Sequence, residues 1–470
     1  MPPLKRPIGA PPDSEPMHHR ILLTLLLCLA PAVVAEPWRL QNQAELPAWL
    51  TISGEHRYRV EVMDNTFRVI DPGADQMTSA RTLLFAEARG DRFFTGVEFH
   101  DARAWWHDDR TPVGTDDVNA AEFLQAYVGV RFDDFVGAGQ QLELKLGRMD
   151  LSMGNKRIIA RNGYRNTING FTGGRLAWRN SEGMTAQAFY VLPMERLPNP
   201  LDREAIRDND VKNDQSTSDL SLWGIELAGF PVAGEFLGDA YLLGYEESNR
   251  PTLPARKRDY NTIGGRLYDF TGPWQWELEA AWQWGESRAT VFSSNDLDHR
   301  AGLLHAEVSR GFDHAWKPRV FAKYDYASGD SDLTDDDFER FDTVFAARRR
   351  DFGLLGLYGA FFFSNLNSPA VGIKFQPRSN VKVESFYRPA WLAEKRDFFI
   401  GSGVIDPSGE AGDFIGHQLD LRVDWEVLPD QLTFMFGAAY LNKGEFLEDA
   451  PFAPDAGDTI YGVSQFILKF

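Results

Sequence analysis

Residues 418–440 read QLDLRVDWEVLPDQLTFMFGAAY, and this stretch decides the fold class. From Gln418 to Leu428, polar residues alternate strictly with apolar ones, which is the period of a β-strand with one polar and one apolar face. Pro429-Asp430 predicts a turn, and alternation resumes from Leu432 to Tyr440. The stretch therefore predicts a hairpin with strands longer than the about five or six residues that are typical of soluble sheets.

Similar alternation recurs elsewhere in the chain, most clearly at Ile52–Val62 and Trp274–Gly285. Strands that cross a membrane need about 9–11 residues, and these runs have that length. The second run carries aromatic residues at both ends, as in the two interfacial girdles of a membrane barrel (Trp274, Trp276, Trp282, Trp284). A soluble β-protein with these tryptophans in its core is the alternative.

The last residues also fit a barrel. Phe466, Leu468 and Phe470 alternate and end on an aromatic residue, which suits a closing strand and resembles the signal that barrel-assembly machinery reads. Short predicted turns lie at 133–140, 180–183 and 429–430, whereas long polar stretches lie at 64–76, 107–119, 197–219, 328–342 and 401–413. Short turns on one side and long loops on the other are typical of porins. We therefore predict one all-β domain, residues 36–470, folded as a transmembrane antiparallel up-and-down barrel.

The N-terminus predicts export from the cytoplasm. Residues 17–20 are a basic segment, residues 21–30 are apolar, and Val33-Val34-Ala35 resembles a cleavage site. We predict a signal peptide at residues 1–35, with Met17 as an alternative start of translation, and an outer-membrane location in a Gram-negative bacterium. Cys28, the only cysteine, lies in this segment, so a mature chain would have no thiol for a disulfide, a metal site or a nucleophile.

Composition narrows the function classes further. The net charge is −19, which argues against a nucleic-acid partner, and the mean hydropathy of −0.35 argues against a helical membrane protein. Asp330–Glu339 lacks the spacing of a calcium loop, and the histidines form no zinc motif. We expect no metal, no cofactor and no enzymatic activity.

Arginine placement is the feature that points to function. Six cations lie within residues 148–175 of this acidic chain (Arg148, Lys156, Arg157, Arg161, Arg165, Arg175). Arg57 and Arg59 occupy polar-face positions of another predicted strand. Because an Arg that faces lipid at the midplane costs about 2–4 kcal/mol, these groups should face the lumen or belong to a loop folded inside it. Guanidinium groups there would attract carboxylates such as those of uronate sugars. The alternative is that they pair with lumen Asp and Glu and only support the barrel.

The run Gly147–Leu176 resembles the signature of the alginate export family of outer-membrane barrels. Further similarity lies at Phe341–Phe345, Asp351-Phe352-Gly353, Phe363–Leu366 and Trp391-Leu392-Ala393. The resemblance implies an 18-stranded barrel with an electropositive constriction. It makes Arg148, Arg157, Arg161 and Arg175 the candidates for that constriction, with Glu195 and Arg196 near the same narrowing. At Phe171-Thr172-Gly173 the chain departs from members that have an Asp after the Phe, so identical selectivity is not implied.

We therefore expect a channel that exports an alginate-like anionic polysaccharide. A general anion or small-solute porin of the same family, and a secreted carbohydrate-active β enzyme, are the alternatives. The expected partners are the polysaccharide, outer-membrane lipids and lipopolysaccharide, barrel-assembly machinery that reads Phe470, and periplasmic proteins of an export complex.

Overall fold

The computed structural model describes residues 38–69, 73–108, 110–248 and 255–470. The predicted signal peptide at residues 1–35 lies outside these residues. Within them, no helix is long and apolar enough to cross a membrane.

Eighteen antiparallel strands form one closed wall, as predicted. They are between 9 and 16 residues long, which suits spanning strands. Their bounds are β1 Leu50–Asp64, β2 Ala74–Arg89, β3 Phe93–Trp105, β4 Asn119–Asp133, β5 Gln141–Met149, β6 Phe171–Arg179, β7 Thr185–Pro193, β8 Leu220–Ala233, β9 Phe236–Glu247, β10 Arg258–Asp269, β11 Trp274–Ser287, β12 Leu297–Gly311, β13 Arg319–Ala327, β15 Leu366–Arg378, β16 Val381–Trp391, β17 Phe414–Leu428, β18 Leu432–Lys443 and β19 Thr459–Lys469. The two-residue β14, Asp337–Phe338, lies in a loop and pairs in parallel with β12.

Short helices lie outside the wall strands. They are α1 Leu40–Gln43, α2 Arg203–Arg207, α3 Arg349–Phe352 and α4 Glu445–Asp449.

The wall closes between β1 and β19, in a register that runs from Glu55 opposite Lys469 to Asp64 opposite Ile460. Next to this ladder, the backbones of Gly54 and Phe470 exchange two hydrogen bonds of 2.8 and 3.0 Å. The ring of Phe470 occupies the space where a side chain at position 54 would lie. Glycine at this position therefore lets an aromatic ring cover the seam.

The two ends of the barrel differ in the length of their connections. One end, here called the turn end, carries the connections 90–92, 134–140, 180–184, 234–235, 270–273, 312–318, 379–380 and 429–431. The opposite loop end carries longer connections, among them 150–170, 194–219, 328–365 and 392–413. The predicted short turns and long loops fall at these respective ends. In outer-membrane barrels the short turns face the periplasm.

Side-chain exposure shows which face of the wall looks outward. On β11, Trp274, Leu278 and Trp282 are 42–55% exposed, whereas Glu277 and Glu279 are buried. Arg57 and Arg59 are likewise buried on β1, and Tyr58 between them is exposed. The apolar faces of these strands therefore point away from the barrel and the charged faces point into it. This is the orientation that hydrocarbon around the wall requires.

Candidate functional site

Two loops fold from the loop end into the lumen. Inner loop A (residues 150–170) connects β5 to β6, and inner loop B (residues 328–365) connects β13 to β15. Inner loop B contacts lumen-facing carboxylates on opposite sides of the closing seam. Leu354 N donates to Asp420 on β17 at 2.9 Å, and Leu357 N donates to Glu61 on β1 at 2.8 Å.

Backbone hydrogen bonds join the two inner loops to each other. Ala160 N donates to the Phe345 carbonyl and Ala347 N donates to the Lys156 carbonyl, both at 3.0 Å. The Asn162 side chain adds a bond of 3.0 Å to the Ala346 carbonyl. The two loops therefore form one unit inside the barrel, because each satisfies backbone groups of the other.

Arg157 fixes this unit to the wall. Its fully buried guanidinium lies 2.6 Å from Glu279, 2.7 Å from Glu277 and 2.9 Å from Asp351. The first two carboxylates belong to β11, and Asp351 belongs to inner loop B. Burial opposes the charged form, but Asp351, Glu279 and Glu277 outweigh it and raise the pKa of Arg157 well above its usual range. Arg157 is thus enclosed by carboxylates.

Arg57 and Arg59 fix inner loop A to β1. Each donates a hydrogen bond of 2.8 Å to the Tyr164 carbonyl, and Arg57 also binds the Arg165 carbonyl. The Arg59 guanidinium lies 4.3 Å from the centre of the Tyr164 ring, a cation–π contact. Both arginines are buried, so their observed contacts are with the protein itself.

Arg161 and Arg148 each have acidic partners. Arg161 lies 2.6 Å from Glu98 on β3 and 3.0 Å from Asp150, and about a quarter of its side chain is exposed. Arg148 lies 2.7 Å from Glu122. Along β5, Arg148 alternates in phase with the exposed Leu146, but its guanidinium reaches the buried Glu122 and the Asp214 carbonyl in the 194–219 connection.

Four arginines gather where the inner loops meet two other loops. We call Arg68, Arg165, Arg196 and Arg348 the arginine cluster. The Asp116 carboxylate lies 2.8 Å from Arg165 and 2.7 Å from Arg196, and it is half-exposed. Asn169 accepts further hydrogen bonds from the same two arginines at 2.5 and 3.1 Å.

Arg348 and Arg68 complete the cluster from inner loop B and the β1–β2 connection. Their guanidinium groups both lie beside Gly359. A Cβ atom on this residue would be 3.8 Å from the Arg348 guanidinium and 4.0 Å from that of Arg68. Arg348 donates to the Gly359 and Phe361 carbonyls, and Arg68 donates to the Leu357 and Tyr358 carbonyls. Arg348 is therefore held by neutral carbonyl acceptors.

The electrostatics of the cluster differ from those around Arg157. Burial and neighbouring Arg165 lower the pKa of Arg196 to about 10. Burial, together with Arg165 and Arg68, lowers the pKa of Arg348 to about 9 against the opposing effect of Asp116. Both groups stay protonated at neutral pH. Their positive charge is under-compensated, so a bound anion would stabilise it.

A basic pair also faces the lumen from the two strands that inner loop A connects. Lys145 on β5 and Arg175 on β6 are direct cross-strand neighbours. Arg175 donates to Gln187 at 2.7 Å, and Lys145 lies 4.0 Å from the centre of the Tyr127 ring. Like charges directly opposite one another repel, so this pair also favours an anion.

The structure thus distributes the predicted site residues over several places. Arg196 joins the cluster, Arg175 lies in the basic pair with Lys145, and Glu195 pairs through its backbone with Gln215 beside Arg196. The roles of these residues toward a solute stay predictions. Sequence reasoning missed Arg68, Arg348 and Asp116. The run Arg348-Arg349-Arg350, unusual in an acidic chain, was the available signal for one of them.

Among the described residues, His305, Asp325 and Asp351 have the spacing of a metal site, as do Glu277, His305 and Glu307. Glu277, Asp325 and Asp351 already bind cations of the protein. Arg388 lies 2.6 Å from Asp325, and Arg157 contacts both Glu277 and Asp351. The arrangement is accounted for as an ion-pair network between the wall and the inner loops.

Comparisons with known proteins place this barrel in a family. The family model described as alginate export matches residues 48–455. A search of curated protein sequences finds no match.

Solved structures from Pseudomonas aeruginosa are similar in fold. OccK9 (OpdG) has a TM-score of 0.54 at 14% identity, covering 90% of this chain and 98% of that one. OccK8 (OprE) has a TM-score of 0.54 at 10% identity, with coverage of 90% and 98%. The outer membrane protein OprD has a TM-score of 0.53 at 12% identity, with coverage of 90% and 93%. At these identities the likeness concerns the fold.

The family match spans nearly all of the wall, and the apolar outer face agrees with it. The protein is an outer-membrane channel of a Gram-negative bacterium. The chain belongs to the alginate export family.

Proposed function

We propose that this channel exports an anionic polysaccharide of the alginate-like polyuronate class, with the arginine cluster as its main contact. The single observation that carries the proposal is that Arg165, Arg196 and Arg348 surround one half-exposed carboxylate, Asp116, with Arg68 next to Arg348. The family match supports the substrate class. No covalent chemistry is required, because selectivity in a channel comes from radius and field.

The geometry favours binding that is readily reversed. A guanidinium binds a planar carboxylate through two parallel hydrogen bonds, so a uronate can replace Asp116 at Arg165 or Arg196. Partly exposed ion pairs contribute only about 0–1 kcal/mol, which makes this exchange easy. A polymer with one carboxylate per sugar can pass from arginine to arginine while each contact remains weak.

The remaining predicted residues take different parts in the proposal. Arg161 and Arg175 are partly accessible from the lumen and would contact the polymer directly. Arg57, Arg59 and Arg157 would act on it only indirectly, by fixing the inner loops. Arg148 and Glu195 would support the loop end beside the cluster.

The test is single-channel recording of the purified protein in planar bilayers. Oligouronates of defined length should interrupt the current, and a neutral dextran of equal length should not. If the polymer passes through, each interruption shortens as the driving voltage rises. A current unchanged by oligouronate would contradict the proposal.

Variants then connect the interruptions to the cluster. The double variant Arg196→Gln, Arg348→Gln should weaken oligouronate binding about tenfold, equivalent to about 1.4 kcal/mol. The control is Lys257→Gln with Arg300→Gln, which removes two charges from exposed ion pairs at the loop end. Equal weakening in both double variants would contradict a specific role for the cluster.

A general anion or small-solute porin is the second candidate. The observation that favours it is the rigid attachment of both inner loops, which reduces the space left for a polymer chain. Under this alternative, oligouronate interruptions would lengthen with voltage because the polymer lodges without passing. A selective permeability to small anions would remain.

We also propose the partners that the surface suits. The apolar outer face would contact lipids and lipopolysaccharide, and the terminal strand with Phe470 would be read by barrel-assembly machinery. Periplasmic proteins of an export complex would meet the turn end. Catalysis, a cofactor and nucleic-acid binding are not expected.

A further inference from the structure

A basic cavity lies in the lumen at the turn end, away from the arginine cluster. Its volume is about 610 Å³, within the about 300–1,000 Å³ range of small-molecule sites. It is lined by the turn-end segments of β13 and β15–β18 and by the turns between them. We call this cavity the basic vestibule.

The basic vestibule is positive in a chain that is strongly negative. Its cations are Lys317, Arg319, Lys374, Lys382 and Arg422. Its carboxylates are those of Glu384, Asp424 and Glu426, which leaves a formal excess of two positive charges. The chain as a whole carries −19. A local field of opposite sign to the net charge attracts anions into the cavity.

Several of these cations keep hydrogen-bonding capacity for a ligand. Lys374 pairs with Glu384 at 3.2 Å and Arg422 with Asp424 at 2.6 Å, in partly exposed contacts. Lys382 is exposed to the lumen and, within the described residues, makes no ion pair. Arg422 Nε is buried and has no acceptor there.

Arg349 links the charged groups of the basic vestibule with those of the arginine cluster. This residue lies in electrostatic range of Asp424, which lines the vestibule. It also lies 4.9 Å from the centre of the Tyr164 ring on inner loop A. Its chain neighbour Arg348 belongs to the cluster. Basic groups therefore follow one another from the turn end to the middle of the lumen.

We propose that the basic vestibule is the first binding site for the anionic polysaccharide on the turn-end side, holding uronate carboxylates through Lys374, Lys382 and Arg422. This inference rests on the proposed function, because it names the entry site of the same polymer. The turn end faces the periplasm in outer-membrane barrels, so a chain arriving from inside the cell meets the vestibule before the arginine cluster.

The test compares oligouronate added to either side of oriented single channels. Ser294→Cys, an exposed loop-end position, carries a biotin label, and streptavidin added to one side reports the orientation. In the Lys374→Gln, Lys382→Gln variant, the association rate from the turn end should fall at least about threefold, while the rate from the loop end stays unchanged. The charge-preserving Lys374→Arg, Lys382→Arg variant should retain the wild-type rate.

A matched control removes two lysines from the opposite end. Lys212→Gln with Lys257→Gln, both partly exposed at the loop end, should leave the turn-end rate unchanged. An unaltered turn-end rate in the vestibule variant, or an equal fall from both sides, would overturn the inference while leaving the proposed function intact. Absence of any interruption in the wild-type channel would instead contradict the proposed function.

Discussion

At the residue scale, Arg157 was predicted to contact the solute, whereas in the structure it attaches the inner loops to β11. Three carboxylates enclose its buried guanidinium, from β11 and from inner loop B. Removing one member of a buried ion pair leaves uncompensated charge and costs about 3–5 kcal/mol. We expect Arg157→Gln to lower the free energy of unfolding by that amount and to raise single-channel conductance, because inner loop A is released.

Urea unfolding in lipid vesicles and conductance recordings measure both effects. Arg300→Gln, which breaks an exposed pair with Asp298, should change stability by less than about 1 kcal/mol. Stability and conductance of Arg157→Gln that match those of Arg300→Gln would show that the buried pairing does not hold the loop.

We expect Asp117 to make the channel sensitive to pH. Burial, with Asp116 and Glu61 nearby, raises the pKa of Asp117 to about 7. The carboxyl is therefore neutral below pH 7 and negative above it, in electrostatic range of Arg196. We expect anion selectivity, measured as a reversal potential in a salt gradient, to fall between about pH 6 and pH 8.

The variant Asp117→Asn should remove most of this change. Burial raises the pKa of Asp214 to about 6, so a smaller step near pH 6 should remain in the variant. Asp116 does not contribute, because Arg165 and Arg196 outweigh its burial and lower its pKa. If the Asp117→Asn variant still showed the whole change in anion selectivity near pH 7, another group would be responsible for it.

At this scale the sequence predicted the type of side chain in the lumen better than its partners. The dense run of arginines between 148 and 175 spans inner loop A and the ends of the two strands that flank it. It did not distinguish Arg157, enclosed by Glu277 and Glu279, from Arg165 in the cluster, because those partners lie more than a hundred residues away. Arg68 was missed for the same reason, because its acceptors at Leu357 and Tyr358 are 289 and 290 residues away.

At the element scale, the outer face of β11 offers a direct test of orientation. Ala280 lies mid-strand and is exposed between the outward-facing Leu278 and Trp282. We expect Ala280→Arg to lower the free energy of unfolding in lipid vesicles by about 2–4 kcal/mol, because a guanidinium would face hydrocarbon.

Gln275→Arg on the same strand is the matched change on the lumen face, near the turn end. This substitution should lower the free energy of unfolding much less than Ala280→Arg, because the new guanidinium would reach water in the lumen. Equal stability of the two variants in urea titrations would contradict the assignment of the two faces.

Strands and inner loops differ in how well the sequence predicts them. Gln418–Leu428 and Trp274–Gly285 follow period two because each strand separates water from hydrocarbon along its whole length. Inner loops A and B carry no such pattern. Their inward course depends on bonds between Ala160 and Phe345 and between Ala347 and Lys156, which no local periodicity records.

At the scale of the whole molecule, net charge and lumen charge have opposite effects. A chain of −19 repels a polyanion at long range, whereas the arginine cluster and the basic vestibule attract it at short range. Salt screens both, since the Debye length falls from about 10 Å at 0.1 M to about 3 Å at 1 M. We expect the local attraction to decide whether a polyanion is captured at the pore.

We therefore expect the association rate of oligouronate to fall about tenfold or more between 0.1 and 1 M KCl. Current interruptions per unit time measure this rate. A neutral dextran provides the comparison, because its rate should not depend on salt. A salt-independent oligouronate rate would mean that radius alone governs entry.

The seam between β1 and β19 determines when this wall can be completed. Every other wall strand lies between these two along the chain, so their pairing joins residues as distant as Glu55 and Lys469. Such long-range pairing forms slowly. Until it forms, two long edges carry unsatisfied amide groups that any extended peptide can join. Both edges must therefore be shielded while the chain crosses the periplasm, until β1 pairs with β19 and the ring of Phe470 packs over Gly54.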